Sequence, residues 1–325
     1  MKISNPLKGY MVRAMEALRL KSWARFRSYR YRATIALQNH SDTAQSCTVI
    51  IPIPQSTNRQ ALLAELQISC DATIEWQTEF GFRYAIWKAV MPPRQTQECI
   101  IECPVRIMPH HGILATFSFD AYQHIPQEIY KRYTQSNEVC DSDDPRIRAL
   151  ADSIAAKATR ADEYIRAVYE HCVTSLSYGS PIRGLYTSHD ALERDEVDCG
   201  GFCTFALALL HARGIPSRLV SGFFGIARHD PMHVWIEILL PDGTWLPADP
   251  STDHLFRIGR DRTKSGRFGH IGSDHLAVSW GCDIPFQVAG GMHRAAFLQY
   301  SLIIPEVTPS TINLASTVEV LEHSS

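Results

Sequence analysis

A cysteine near the middle of the chain stands where a nucleophile could be activated. Cys199 is followed directly by two glycines and then by an apolar helical pattern. That pattern ends near Gly214, and Pro216 prevents its continuation. Cys199 therefore lies at the amino end of a predicted helix, where the helix dipole and free N–H groups favour the reactive thiolate. Such a nucleophile also needs a base and a carboxylate that orients the base.

The segment after this helix predicts a β-hairpin that carries both groups. His233 begins the run HVWIEILL, the turn signal PDG follows, and the run TWLPA leads to Asp249. With a three-residue loop at 241–243, Asp249 falls opposite Trp235 and becomes a diagonal neighbour of His233 on the same face. A two-residue loop would put the two side chains on opposite faces. The site therefore requires the three-residue turn.

The order of these motifs resembles the transglutaminase-like core domain, whose fold belongs with the papain-like cysteine enzymes. The motifs are a cysteine at a helix start, GIPSR at the helix end, HVWIE on a strand, and DGTW followed by DP. The resemblance covers roughly residues 140–255, and the β-rich segment before it resembles the amino-terminal domain of bacterial members. By position, it implies Cys199 as nucleophile, His233 as base and Asp249 as the third member of a catalytic triad.

The resemblance further implies a cysteine enzyme that acts on an amide bond of a protein or peptide substrate. Its thiolate would form an acyl-thioester, which an amine resolves by transamidation and water by hydrolysis. Two alternatives stay open: a cysteine peptidase or deamidase without cross-linking activity, and a binding protein that keeps the fold without turnover. No cofactor is expected. Animal transglutaminases use calcium, but the sequence has no acidic loop of the DxDxDG type, so we expect no metal.

Three further features near these motifs have alternative interpretations. Tyr178 matches a tyrosine common in the family before the nucleophile, and it is a candidate substrate-binding residue together with Trp235; structural packing is the alternative for Tyr178. Cys203 points within about 40° of Cys199 on the helix, but its distance from GIPSR does not match, so we expect a small buried side chain. The basic segment Arg257–Arg267 is either a solvated face or a substrate-contact loop.

Five other polar residues are candidates for the surroundings of the site. Asp198 is expected to be solvated or to cap the helix, and His211 is expected at the surface. His189, His229 and His254 are placed in loops from which they could approach the cleft.

The pattern of residues divides the chain into four parts. Residues 1–24 form a basic arm. This arm is either a solvated segment that packs on the next domain or a segment that binds the surface of an anionic membrane. Residues 25–115 show the short alternating runs of an all-β sandwich-like domain. Residues 116–310 hold the helices and strands of the catalytic domain, and residues 311–325 are expected to be a frayed tail. The predicted fold class is α+β: a papain-like transglutaminase core, with its Cys-bearing helix packed on an antiparallel sheet, preceded by the sandwich.

The composition of the chain excludes several other classes of protein. Hydrophobic residues make up 45% and charged residues 20% of the 325 residues, which is typical of a globular protein. The net charge of −2 creates no field that attracts nucleic acid. No apolar run is long enough for a spanning helix or a signal peptide. The nine cysteines include no CxxC. We therefore expect a cytoplasmic protein with reduced thiols, no nucleic-acid partner and no stable membrane insertion.

Overall fold

The computed structural model describes residues 26–225, 231–261, 265–288, 290–305 and 311–322. The predicted basic arm, residues 1–24, lies outside the described residues. The described strands are β1 Arg27–Asn39, β2 Gln45–Pro52, β3 Gln60–Leu62, β4 Gln67–Ile68, β5 Ala72–Gln77, β6 Phe82–Met91, β7 Thr96–Ile107, β8 His110–His111, β9 Ser217–Phe224, β10 Met232–Leu239, β11 Trp245–Ala248, β12 Gly266–Arg267, β13 His270–Ile271, β14 His275–Trp280, β15 Ile284–Val288, β16 Gly291–Ala295, β17 Leu302–Pro305 and β18 Ile312–Glu322. The described helices are a short 3₁₀ helix Phe119–His124, α1 Gln127–Arg132, α2 Pro145–Ala155, α3 Ala161–Ser175, α4 Ser188–Glu193, α5 Cys199–Ala212 and α6 Pro250–Arg257.

Two antiparallel sheets form a sandwich from the amino-terminal strands. One has the order β18-β1-β7-β3, with β4 also on β7, and the other has the order β17-β2-β6-β5. Every second side chain of β1, beginning with Tyr29 and Tyr31, points into a core shared with β2, β6 and β7. This alternation is the strand period that the sequence shows. The predicted fold class, a sandwich before an α+β core, is confirmed.

The last strand contradicts the prediction that residues 311–325 are a frayed tail. Strand β18 pairs with β1 over its whole length, and Val318 and Val320 are buried in the sandwich core. Asn313, Thr317 and Glu319 face outward, because an edge strand of a sandwich needs only one apolar face. Strand β17 likewise pairs with β2. The division into folding units stays a prediction, but these pairings join the two ends of the chain and favour one cooperative unit.

We expect Val320→Asp to destabilise the protein by at least about 2–3 kcal/mol, because it places a charge in the sandwich core without a partner. The measurement is the free energy of unfolding in urea. Leu321→Asp is the matched control, since Leu321 is 46% exposed on the same strand and its replacement should change stability by about 0.5 kcal/mol or less. Equal losses in the two variants would mean that the tail is not docked.

The third sheet has the order β11-β10-β9-β14 and is covered on both faces. Helix α5 packs on one face against Leu219 and Val234. The sandwich covers the other face, where Trp235 packs with residues of β2 and β6. The side-chain amide of Gln60 both donates to and accepts from the backbone of Ala277 at 3.0 Å. The sandwich is therefore fixed to β14, at the edge of the sheet that carries the site.

Cys70 and Cys99 are joined by a disulfide, which contradicts the expectation that all thiols are reduced. The two cysteines are 29 residues apart in no recognisable motif, so this pairing has no local sequence signal. The other seven cysteines are thiols and are buried. Within the described residues, no helix combines the length and the apolar character needed to cross a membrane.

Candidate active site

Cys199 is the first residue of helix α5, as predicted. The carboxylate of Asp198 accepts hydrogen bonds from the N–H of Gly200 at 2.8 Å and from the N–H of Ile182 at 3.0 Å. It therefore caps the helix and also ties the preceding loop to the helix start. Asp198 is buried, so its predicted capping role is confirmed and the solvated alternative is wrong.

The hairpin of β10 and β11 has the register that the site requires. Leu240 donates its N–H to the carbonyl of Thr244 at 2.8 Å, which closes the three-residue loop 241–243. Gly243 in this loop has φ = +84°, a left-handed conformation that favours glycine. The ladder continues in this register to Ala248. The predicted register is confirmed, and Asp249 follows directly after the ladder.

Asp249 is held by hydrogen bonds on both of its carboxylate oxygens. Oδ2 accepts from Nε2 of His233 at 2.8 Å. Oδ1 accepts from the N–H of Thr252 and from Oγ of Ser251, both at 3.0 Å. Asp249 is thus the N-cap of helix α6, with Pro250 at the first helical position. This helix was not predicted, although Asp144-Pro145 carries the same start signal, an aspartate before a proline, and predicts the start of α2 from the sequence.

His233 and Asp249 form a buried ion pair. Burial alone would lower the pKa of His233, but the charge and hydrogen bond of Asp249, together with a hydrogen bond to Cys199, raise it to about 9. Burial would likewise raise the pKa of Asp249, but the neighbouring imidazoles hold that pKa well below its usual value. Because Nε2 of His233 faces Asp249, Nδ1 is the nitrogen left for Cys199. The structure therefore brings the three predicted residues together.

Cys203 lies beneath the site as a small buried side chain, as expected. Its thiol donates to the carbonyl of Val234 at 3.5 Å, and the residue is fully buried. Burial raises the pKa of Cys203 well above its ordinary value, with smaller contributions from the charges of Asp249 and Cys199. Cys203 is therefore held as the neutral thiol.

Two aromatic residues pack against the ring of His233. The ring of Phe224 stacks on that of His233, with centroids 4.0 Å apart and planes inclined by 18°. Trp235 is only 1% exposed and packs behind the histidine. A substrate-binding role for Trp235 stays a prediction. The importance of Phe224 was missed because nothing in its local sequence distinguishes it from other apolar strand residues.

Tyr178 reaches the edge of the site. Its backbone forms an isolated parallel bridge with Val197, just before the helix. Burial, followed by the nearby charges of Cys199 and Asp198, raises the pKa of Tyr178, so its hydroxyl stays protonated. Its carbonyl accepts a hydrogen bond from Arg260 at 3.0 Å, which links the basic segment to the site. A substrate-binding role for Tyr178 stays a prediction.

His275 is a fourth polar residue at the site that sequence reasoning missed. Its Nε2 lies 3.2 Å from Oδ2 of Asp249, and its Nδ1 lies 2.8 Å from Oδ1 of Asp274. Its only sequence signal is that it begins an apolar strand. One donor atom from each of His233, Asp249 and His275 lies within 4.8 Å of the others, a spacing that a metal ion would also accept. In this structure hydrogen bonds join these three side chains, and we assign the three residues to a hydrogen-bonded network rather than to a metal site.

The basic segment Arg257–Arg267 ends against the triad. Strand β12 begins at Gly266, and a Cβ added there would lie 2.2 Å from Oδ2 of Asp249. At the other end of the segment, Arg257 forms ion pairs with Glu170 and Asp253. The backbone at Gly266 therefore covers the carboxylate of Asp249. Neither predicted interpretation, a solvated face or a substrate-contact loop, includes this role.

We expect Gly266→Ala to lower activity by on the order of 100-fold, because the methyl group would displace the carboxylate that orients His233. The measurement is kcat with any amide substrate that the wild type turns over. Gly259→Ala in the same segment is the control: a Cβ there would meet nothing within 4 Å, so its strained φ of +77° should cost stability without displacing the carboxylate of Asp249. Equal activity in Gly266→Ala and wild type would show that Asp249 does not need this close approach.

Among the described residues, the remaining predicted candidates bond to groups outside the triad. His211 is buried and bonds to the carbonyl of Ser217 at 3.0 Å, so its predicted surface position is wrong. The chain turns back over the helix end at Gly214 and covers this histidine. His254 lies in α6 rather than in a loop and bonds to the carbonyl of Val173. His189, on α4, pairs with Asp141. His229 lies outside the described residues.

A narrow cleft with a volume of about 10 Å³, enough for about one water molecule, opens beside Cys199. Its lining is mainly apolar: Ile182, Leu185, Met232, Val234 and Phe297. The cleft also includes Gln299, whose amide donates to the carbonyls of Gly222 and His233 at 2.7 and 3.0 Å. The immediate surroundings of the thiol are therefore mostly apolar.

Comparisons with known proteins agree with this architecture. Residues 148–250 match the model of the transglutaminase-like superfamily. A crystal structure from Cytophaga hutchinsonii, described as that of a candidate cysteine protease, has 14% identity and a TM-score of 0.62, with 93% of each chain covered. The periplasmic domain of TgpA from Pseudomonas aeruginosa has 16% identity and a TM-score of 0.37, over 72% of this chain and 91% of that one. A comparison with curated proteins found no match.

Proposed function

From residues 148–250, which give this chain a transglutaminase-like core, we propose that the protein is a cysteine enzyme that transfers the acyl group of a protein or peptide amide. The observation that carries this proposal is the assembly of Cys199 at a helix start, His233 beside it, and Asp249 at 2.8 Å from His233. The description of the Cytophaga hutchinsonii protein as a candidate cysteine protease supports the same chemistry.

In the first half of the proposed reaction, the thiolate of Cys199 attacks the amide carbonyl and forms a carbon–sulfur bond. The oxyanion that develops is stabilised by backbone N–H groups, including that of Cys199, because the first N–H groups of a helix have no acceptor within the helix. Nδ1 of His233 then gives its proton to the leaving amine nitrogen. The carbon–nitrogen bond breaks, and an acyl-thioester remains on Cys199.

In the second half, an acceptor resolves the acyl-thioester. His233, now neutral, takes a proton from water or from a primary amine as that molecule attacks the carbonyl carbon. Attack by water yields a free acid, and attack by an amine yields a new amide. Both outcomes return Cys199 as the thiolate and His233 as the imidazolium. Asp249 keeps the same tautomer and orientation of His233 throughout.

A product assay tests this proposal and separates its two outcomes. The protein is incubated with glutamine-containing and unmodified peptides, with and without a fluorescent primary amine, and the products are identified by mass. Incorporated amine means transamidation, a free acid at glutamine means deamidation, and two shorter peptides mean peptidase activity. A protein that forms no thioester with any of these amides would instead be the non-catalytic binding protein that uses the same fold.

The raised pKa of His233 predicts how activity depends on pH. The imidazolium is stabilised in the folded protein, so the ion pair is fully formed below the ordinary histidine pKa and is lost as pH rises through about 9. The lowered pKa of Asp249 keeps the carboxylate ionised in acid. We therefore expect the alkaline limb of the kcat/KM profile near pH 9. An alkaline limb near pH 6 to 7 would mean that His233 is not held as imidazolium.

We also propose a cytoplasmic location and a protein or peptide substrate, without a nucleic-acid partner. The Cys70–Cys99 disulfide counts against the location, because disulfides are rare in reducing compartments. Trapping of free thiols in intact cells decides the question. Labelled Cys70 and Cys99 would support the cytoplasm, whereas an intact disulfide would move the protein to an oxidising compartment.

A further inference from the structure

His275 occupies an unusual position between two carboxylates. It is 0% exposed and pairs with Phe224 at the start of β14. One ring nitrogen lies 2.8 Å from Asp274 and the other lies 3.2 Å from Asp249. Asp274 and Asp249 are themselves buried. The ring therefore has a carboxylate oxygen at each of its two nitrogens.

This geometry determines the protonation of His275. A neutral imidazole has one N–H and one lone pair, so either tautomer would aim a lone pair at a carboxylate oxygen. Only the imidazolium donates to both partners, and each of these bonds is then charge-assisted. The raised pKa of His275, where the two carboxylates outweigh burial, agrees with this. His275 is therefore a fixed cation.

Charged and titratable groups reach His275 and Asp274 from several elements. From the sandwich, the guanidinium of Arg59 donates to the carbonyl of His275. Two histidine rings also interact with the ring of His275: that of His233, at a centroid distance of 5.3 Å, and that of His270 on β13. The groups that face this pair are Asp274, Asp249, His233, His270, Arg59 and Tyr29.

We propose that His275, held as a cation by Asp274, is a positioning residue that keeps the carboxylate of Asp249 ionised and correctly aimed when His233 becomes neutral during turnover. This inference rests on the proposed acyl transfer. In the resting site, the imidazoliums of His233 and His275 lie against the carboxylates of Asp249 and Asp274, and His233 also faces the thiolate of Cys199. When His233 gives its proton to the leaving amine, Asp249 would otherwise be a buried charge without a counter-ion, which costs several kcal/mol. His275 supplies the charge that remains.

Through its contacts with β14, the sandwich contributes to the positioning of His275 beside Asp249. Arg59 and Gln60 bond to the backbone of β14 at His275 and Ala277. These contacts fix the strand that presents the cation to Asp249. The sandwich therefore sets the distance between His275 and the triad.

Two variants test this role, and a third serves as control. We expect His275→Gln and Asp274→Asn each to lower kcat by on the order of 10- to 100-fold with little change in KM, because both remove the second cation beside Asp249. His211→Gln removes another buried histidine, whose partner is a backbone carbonyl rather than a carboxylate, and should leave kcat unchanged. If His275→Gln fails to fold, Asp274→Asn keeps the ring in place and carries the test.

The readout that a merely structural role would not move is the pH dependence of Cys199 alkylation by iodoacetate, which needs no substrate. The imidazolium of His233 attracts this anionic reagent, so the rate falls when His233 loses its proton, and this fall is the alkaline limb. A cation beside His233 lowers the pKa of that histidine, so both variants should move the alkaline limb to higher pH than in wild type. An unchanged limb or a limb at lower pH would overturn the proposal. Stoichiometric zinc in the purified protein, lost in His275→Gln, would also overturn it and assign a metal site. Because alkylation is independent of turnover, a wild type without amide activity would refute the proposed function without deciding the role of His275.

Discussion

Cys199→Ala is expected to abolish acyl-enzyme formation and to lower turnover by on the order of 10⁴-fold or more, since no other group at the site can form the thioester. The fold should survive, because Cys199 lies at a helix end rather than in the middle of the core. The measurement is the intact mass of the protein after mixing with an amide or ester substrate, together with the rate of product formation.

Cys203→Ala is the matched control for the nucleophile. It removes a thiol from the same helix, one turn further on, whose proton is held by burial. We expect this variant to keep most of its activity and its acyl adduct. A dead Cys203→Ala beside an active Cys199→Ala would shift the nucleophile by one helical turn and overturn the assignment.

Asp249→Asn is the second change with a large expected effect. Asparagine keeps the size of the side chain and can still cap α6, but it removes the charge that holds His233 as imidazolium. We expect kcat to fall by on the order of 10⁴-fold. The alkaline limb of Cys199 alkylation should move below the wild-type position near pH 9, because the pKa of His233 is raised mainly by Asp249.

The stability of this variant is a separate observable. Asp249 is 0% exposed, and an amide cannot accept hydrogen bonds on both sides as the carboxylate does. A loss of about 1–3 kcal/mol is therefore expected in urea unfolding. Asp253→Asn, at a neighbouring buried carboxylate that bonds to Tyr169, controls for such a loss without contact to His233. Equal activity of Asp249→Asn and wild type would remove Asp249 from the site.

The features that the sequence predicted correctly are set by local chemistry. A proline after an aspartate starts α2, two glycines after Cys199 open α5, and the turn PDG fixes the register of the hairpin. Each signal acts over a few residues, where turn geometry and helix capping leave few alternatives. That register is what brings His233 to Asp249.

The features that were missed depend on contacts between distant parts of the chain. Strand β18 is predicted as a tail because Ser316 interrupts the apolar half of its period-two pattern and because its partner, β1, is distant in sequence. His275 is 26 residues from Asp249 and has no spacing pattern that a helix or hairpin would impose. Gly266 is explained only by the carboxylate that it approaches. Burial and pairing at long range, not local propensity, create these three features.

In the proposed enzyme, His233 activates the thiol of Cys199. This activation can be measured by comparing the alkylation rates of Cys199 and Cys282. Cys199 and Cys282 are 7% and 9% exposed, so access to reagent is matched, but only Cys199 bonds to an imidazolium. After brief exposure to iodoacetamide near pH 6, peptide mapping should show Cys199 modified at least about 100-fold faster than Cys282. His233→Ala should remove that difference. Equal labelling of the two cysteines in the wild type would mean that His233 does not activate Cys199.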